Sequence, residues 1–267
     1  MDRRIFNRFR EIVLECSGIR LGERKEALVS ARVGKRMREL GIRDYSAYIK
    51  CIDEDTTGLE KVKLLDAIST NVTSFFREAK HFEFLSRVLD DWLAQGDRRF
   101  RFWSAASSTG EEPYSMAMTI LASLGGRPAD VRILATDIST KVLEHCVKGV
   151  YEKGKVDSVP PAFRNRYFER LGRVGKVQYA VKPELKKMLV FKRMNLAETP
   201  FVMKGPLDAI FCRNVMIYLD QDIRVRLLGE LYRLLRPGGY LFVGHAESLT
   251  GIVSEFEAVE PAVYIKT

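Results

Sequence analysis

Cysteine and histidine are scarce in this chain, with four and three residues among 267. Cys16, Cys51, Cys146 and Cys212 stand 35, 95 and 66 residues apart without a CxxC pair, and His81, His145 and His245 build no HExxH. Neither a disulfide framework nor a metal site is expected, and the thiols read as small buried hydrophobes. No apolar run approaches the roughly 18 residues that cross a bilayer. The opening MDRRIFNRFREIVLEC sets charges among its apolar residues, unlike the apolar core of a secretory signal. A cytoplasmic protein without membrane insertion is expected. Also missing are GxGxxG and GxxxxGK[ST], so dinucleotide and phosphate-loop nucleotide chemistry lose weight. Nineteen glycines, nine prolines and no internal repeat exclude collagenous and low-complexity chains.

Hydrophobic residues at 46% and charged residues at 30% are ordinary globular values. The length allows one large domain or two, and folding should bury about 70–75% of the unfolded surface. The net charge of +9 is unevenly placed: the first 50 residues hold 13 Lys/Arg against 7 Asp/Glu, six of the nine charges. A basic end suits an acidic partner, whether nucleic acid, anionic membrane or an acidic protein surface, and equally suits a solvated helical surface.

Residues 1–70 read as a small all-helical domain. Phe6, Phe9, Ile12 and Val13 form one stripe, and Val29, Val33, Met37 and Leu40 form another on a helix over 28–40. That leaves Arg32, Lys35, Arg36 and Arg38 as a free basic face. Asp44 caps a third helix over 45–51, and 59–68 reads as a fourth. No strand signal precedes residue 70. Residues 71–95 read as linker and helix. From 96 to 267, short β-rich runs (100–105, 131–137, 188–194, 207–214, 240–244 and the closing AVYIKT) alternate with helices over 112–124, 140–147 and 221–235. Such alternation predicts βαβ units and a largely parallel sheet. Between about 150 and 187 it breaks. Pro160-Pro161, Gly172 and Gly175 surround VQYAV, which reads as an inserted antiparallel β subdomain.

In a doubly wound sheet, ligands bind beyond the carboxyl ends of the strands. Four segments end strands there with small or polar residues. Ser104 to Pro113 is a small-residue loop into a helix, where backbone can approach a ligand. Asp137 can accept hydrogen bonds from both hydroxyls of a ribose, or begin a helix as its cap. Asn195-Leu196 can read an adenine edge or complete a turn, and Arg213-Asn214 ends the fourth run. Without a phosphate cradle, the set suits a nucleoside ligand that carries no phosphates. Ahead of the sheet, Asn71, Thr73 and Arg77 offer three polar groups at a domain boundary.

The segments NVTSFFRE, FWSAASSTGEEPYSMAM, LATDIST, FCRNVMIYLD and LRPGGYLFVGHAES, in this order, closely resemble the chemotaxis receptor glutamate methyltransferases, the CheR type. The resemblance spans nearly the whole chain. It implies a class I S-adenosylmethionine-dependent methyltransferase fold, Rossmann-like with an antiparallel last strand, behind a helical domain. It implies S-adenosyl-L-methionine as cofactor, S-adenosyl-L-homocysteine as product, no metal, and cofactor contacts at Asn71, Thr73, Arg77, Glu111, Asp137, Asn195, Leu196, Arg213 and Asn214. Tyr218 matches the family's catalytic tyrosine, and Arg77 could steer the substrate. A second arginine of the family falls near Asp90-Asp91, where this chain is acidic, and is not carried over. The implied partner is the helical cytoplasmic region of methyl-accepting chemotaxis receptors, met by Arg32, Lys35, Arg36 and Arg38. A receptor C-terminal peptide at the β insertion is a further implied partner, and a monomer is expected.

A glutamate, with a reference pKa of about 4.3, is already an anion at neutral pH, so attack on a sulfonium methyl needs no general base. The absence of a triad, paired carboxylates or metal cluster therefore agrees with the implied reaction. A nucleic-acid or other protein methyltransferase and a non-catalytic S-adenosylmethionine-binding adaptor are the alternatives. Against the first, the strand-end Asn/Asp-Pro-Pro-aromatic motif of amino-methylating enzymes is replaced here by Arg213-Asn214-Val215-Met216, so no nucleic-acid partner is expected.

Overall fold

The computed structural model describes residues 1–172, 177–249 and 255–267. Gly175, one of the residues marking the insertion in the sequence, lies outside them.

The chain opens with four helices: α1 (Arg3–Ser17), α2 (Glu26–Glu39), α3 (Tyr45–Glu54) and α4 (Leu59–Ile68). Asp2 and Asp44 cap α1 and α3, their carboxylates accepting from Ile5 N at 2.8 Å and Ala47 N at 2.9 Å. Phe6, Phe9, Val13, Val29, Val33, Met37, Tyr48 and Leu65 close one core between them. Leu40 does not join it: α2 stops at Glu39, and Leu40 is 38% exposed. Gly18 ends α1 at φ +69°, and a Cβ there would lie 2.6 Å from Ile223 and 2.7 Å from Ala197. A side chain would push the helical unit off the rest of the protein.

Then come α5 (Lys80–Ala94), β1 (Arg99–Ser104), α6 (Glu111–Leu124), β2 (Asp130–Asp137) and α7 (Thr140–Lys148). An insertion follows: β3 (Val150–Glu152), α8 (Lys153–Val156), α9 (Pro161–Tyr167), β4 (Phe168–Leu171), β5 (Gln178–Val181) and α10 (Pro183–Lys186). The main sheet resumes with β6 (Leu189–Arg193), β7 (Leu207–Phe211), α11 (Gln221–Leu234), β8 (Leu235–Phe242), β9 (Phe256–Glu260) and β10 (Val263–Lys266). Its seven strands lie in the order β6-β2-β1-β7-β8-β10-β9. The first five are parallel, and β10 runs antiparallel between β8 and β9. The expected class I methyltransferase architecture, a largely parallel sheet with an antiparallel last strand, is therefore what the chain adopts.

Strand β7 shows how the sheet is held. All five of its residues are buried. Ala209 and Phe211 face the layer of α5 and α6, while Ile210 and the following Cys212 face the layer of α11. That is the period of two expected of a strand covered on both sides.

Three local readings change. The segment 236–239, left between the expected helix over 221–235 and strand over 240–244, belongs to β8, because Leu235 already pairs with Leu207 of β7. Strand β9 carries no strong alternation and exists through its pairing with β10. Before residue 70, Ile19 makes an isolated antiparallel bridge to Leu219. The insertion is a three-stranded antiparallel sheet in the order β3-β5-β4, and only β5 was legible in advance.

Candidate active site

Strand order reverses beside β1, with β2 to one side and β7 to the other, and a cleft opens at their carboxyl ends. It encloses about 980 Å³, counting the part open to solvent. The loop after β1 makes one wall. Gly110 holds φ +98°, and a Cβ there would meet the Tyr151 hydroxyl at 2.6 Å. Ser107 N donates to Thr136 O at 2.8 Å, which ties the loop to β2. Ser108 N and Ser139 N donate to the two Asp137 carboxylate oxygens at 2.9 and 3.0 Å. Burial nevertheless pushes the Asp137 carboxyl above its ordinary range, because the amides only partly replace water. Asp137 keeps unused lone pairs and lines the cleft. Beside it, the Ser108 hydroxyl is buried without a hydrogen-bond partner and also lines the cleft.

Arg213 forms the floor. Its side chain is 2% exposed, and its guanidinium donates to Glu112 at 3.1 Å, Glu78 at 2.9 Å and the Arg77 carbonyl at 2.5 Å. The two carboxylates respond differently. Full burial raises Glu112 despite the pair. For Glu78, burial is outweighed by the Arg213 and Asn214 hydrogen bonds and the Arg213 charge, and its carboxyl is lowered. Asn214, at φ +57°, donates its backbone N–H to Glu247 at 2.6 Å, which fixes the strand end.

The opposite wall comes from the helical unit. Val13, Ile19, Leu21, Leu65 and Ile68 line it, with Lys25 at its edge. Tyr218 stands where the walls meet, in a short 3₁₀ turn (Met216–Tyr218). The Lys25 ammonium lies 5.1 Å from its ring centroid. The Tyr218 carbonyl accepts from Arg20 N at 2.8 Å, and Arg20 pairs with Asp220.

The cleft gathers Asn71, Thr73, Arg77, Asp137, Arg213, Asn214 and Tyr218. Glu111, Asn195 and Leu196 are not on its wall. Glu111 is wholly buried at the start of α6, and its neighbour Glu112 reaches the cleft instead. The sequence offered Glu111-Glu112 as a doublet, with nothing to say which faced inward. The Asn195 amide donates to the Cys16 carbonyl at 3.0 Å and to Glu198 at 2.9 Å, and Leu196 packs in the core. Sequence reasoning gave Ser108 only as part of the 104–113 loop and did not single out Lys25 or the helical wall, whose residues read as the core of their own domain.

The basic face of α2 needs correction. Arg36 holds buried Glu60 with two hydrogen bonds of 2.9 and 2.7 Å, and Arg32 donates to the carbonyls of Ile68 and Ser69 at 2.6 and 2.8 Å. Both are internal ties between α2 and α4. Lys35 and Arg38 stay exposed.

Spacing along the chain also hid one cluster. Glu78, His81 and His245 bring one ligand atom each to within 4.8 Å of one another, the one such group among the described residues. Glu78 is already paired with Arg213, whose charge opposes a cation there. Burial holds His81 down to about 4, so its ring is neutral at neutral pH.

Comparison with known proteins agrees across both regions. Residues 71–265 match the family description "CheR methyltransferase, SAM binding domain", and residues 4–69 match "CheR methyltransferase, all-alpha domain". The chemotaxis protein methyltransferase of Salmonella typhimurium is 37% identical over 97% of this chain and 88% of its own length. Chemotaxis protein methyltransferase 2 of Pseudomonas aeruginosa is 38% identical over 98% and 92%, and the Borreliella burgdorferi protein is 35% identical over 97% and 93%. A cleft at the strand-order reversal, walled by its own helical unit, is thus found in a chain that matches both halves of one family: this protein belongs to the CheR methyltransferases.

Proposed function

We propose that the protein transfers a methyl group from S-adenosylmethionine to glutamate carboxylates of methyl-accepting chemotaxis receptors, forming methyl esters. The observation that carries this reading is the cleft itself, with Asp137 and the unpartnered Ser108 hydroxyl on one wall and Tyr218 and Lys25 at its edge. Buried hydroxyl and carboxylate lone pairs without protein partners fit a nucleoside with free ribose hydroxyls. Asp137 would hold the ribose, while Asn71, Thr73, Arg77 and Asn214 would hold the amino-acid end over the floor that Arg213 forms. When bound, S-adenosylmethionine supplies an electrophilic methyl on a sulfonium.

The protein then has to bring a carboxylate anion into line and keep water out. Water solvates the separated charges and opposes their neutralisation, so the apolar helical wall excludes it. Tyr218 donates a hydrogen bond that orients the carboxylate. Lys25, and Arg77 whose guanidinium donates to the Val72 carbonyl at 2.9 Å, draw the anion to the cleft. No side chain has to remove a proton. Arg213 cannot serve as a free anion site while Glu78 and Glu112 neutralise it. Exposed Lys35 and Arg38 would meet the acidic helical surface of the receptor. A receptor C-terminal peptide would add a strand to an edge of the β3-β5-β4 sheet. No helix among the described residues is long and apolar enough to cross a membrane, and the enzyme would act from the cytoplasm as a monomer.

The test is incubation of the purified protein with methyl-labelled S-adenosylmethionine and receptor-containing membranes. Base-labile label in receptor protein, lost when the receptor's acceptor glutamates are replaced by alanine, is expected. Label in nucleic acid, or none transferred, would sink this reading.

A further inference from the structure

The inserted subdomain touches the cleft's machinery from behind. Its Tyr151 hydroxyl donates to the Thr109 carbonyl at 2.8 Å, and the same ring packs edge-on against Phe75 at 4.9 Å. Phe168 meets Phe75 at 5.5 Å. These contacts seat both the loop after β1 and the irregular strap of residues 71–77. The fourth contact is ionic. The Lys155 ammonium, on the short turn of α8, lies 3.0 Å from a Glu111 carboxylate oxygen and donates to the Thr73 carbonyl at 2.9 Å. Glu111 is 0% exposed, and its other oxygen accepts from the Thr109 hydroxyl at 2.5 Å. The Lys155 side chain is 47% exposed, so one ammonium joins a buried carboxylate, a strap carbonyl and solvent.

We propose that Lys155 is a positioning residue of the cofactor site, neutralising Glu111 and fixing the strap that carries Asn71, Thr73 and Arg77. A carboxylate buried this far is costly without a countercharge. The ammonium donates to the Thr73 carbonyl and meets Glu111 Oε1, which has no hydrogen-bond partner, through charge alone. Lys155 does not line the cleft and touches no reacting atom. Its effect passes through backbone it holds in place, so it belongs to cofactor affinity rather than to turnover. Through it the insertion becomes a structural part of the cofactor site. This inference rests on the reading that the cleft binds S-adenosylmethionine.

The test is calorimetric binding of S-adenosylhomocysteine to wild type, Lys155→Met, Lys155→Arg, Glu111→Gln and the Lys155→Met/Glu111→Gln pair. Lys155→Met should weaken binding about 10-fold, the lower end of what losing hydrogen bonds to a charged group costs. Lys155→Arg should recover most of that. In the Glu111→Gln background, the Lys155→Met change should cost less than about threefold, since no buried anion remains to neutralise. With saturating cofactor, kcat of Lys155→Met should match wild type while KM for the cofactor rises. Binding within twofold of wild type, tighter binding, or full additivity with Glu111→Gln would overturn the proposal. So would loss in Lys155→Arg equal to that in Lys155→Met. If wild type itself fails to bind S-adenosylhomocysteine, the cofactor reading fails and the inference falls with it, an outcome distinct from any difference among the variants.

Discussion

The two walls of the cleft are built on opposite principles. The sheet side presents charge: Arg213 buried between two carboxylates, and Asp137 buried on backbone amides alone. The helical side presents Val13, Ile19, Leu21, Leu65 and Ile68 with Lys25 at the edge, and keeps Lys35 and Arg38 away from the cleft. A polar wall can recognise a ligand, whereas an apolar wall excludes water and strengthens every charge opposite it. The difference divides the labour, so substitutions on each wall should fail in different measurements.

Arg213→Ala should give the largest effect, because it strands Glu112 and Glu78 without their cation. Breaking one partner of a buried pair costs about 3–5 kcal/mol of stability. Chemical denaturation should show this loss, and a loss under 1 kcal/mol would mean the floor is not a stability element. Asp137→Ala should act on the same wall through affinity. Losing charge-assisted hydrogen bonds corresponds to roughly 10–150-fold weaker S-adenosylhomocysteine binding with the fold retained. Unchanged binding by calorimetry would remove Asp137 from the cofactor site.

At the seam between the walls, Tyr218→Phe should bind cofactor normally and lower kcat by about 3–10-fold, the worth of one oriented hydrogen bond. Full kcat with receptor would leave the tyrosine a packing residue. Lys35→Ala with Arg38→Ala should give the smallest effect: a few-fold fall in kcat/KM for receptor and a flatter salt dependence, since exposed charges act over about 8 Å at physiological ionic strength. Parallel salt curves for variant and wild type would assign those cations to plain solvation.

Much of this frame is legible in the chain. Asp44 marks the start of α3, 59–68 forms a helix as the pattern says, and the parallel strands end within a few residues of their expected positions. Each signal is local, a cap or a period. What escaped depends on contacts distant in sequence. Arg32 and Arg36 look like surface cations until α4 brings Glu60 and two carbonyl groups beneath them. Choosing Glu112 over Glu111 needs the rotation of α6 against β7, which no spacing encodes. Strands β3 and β4 are three and four residues long and exist only around β5.

The bridge between Ile19 and Leu219, with the amide of Arg20 bonded to the Tyr218 carbonyl, bears on how this enzyme could be re-engineered. The connector between the first two helices is part of the scaffold that holds the tyrosine turn. A chimera that swaps in a foreign helical region would also replace this support. Its junction is better placed after Leu21 than before α1, so that residues 18–21 stay with the turn they brace. The two halves are separable only if the cut respects that four-residue splice.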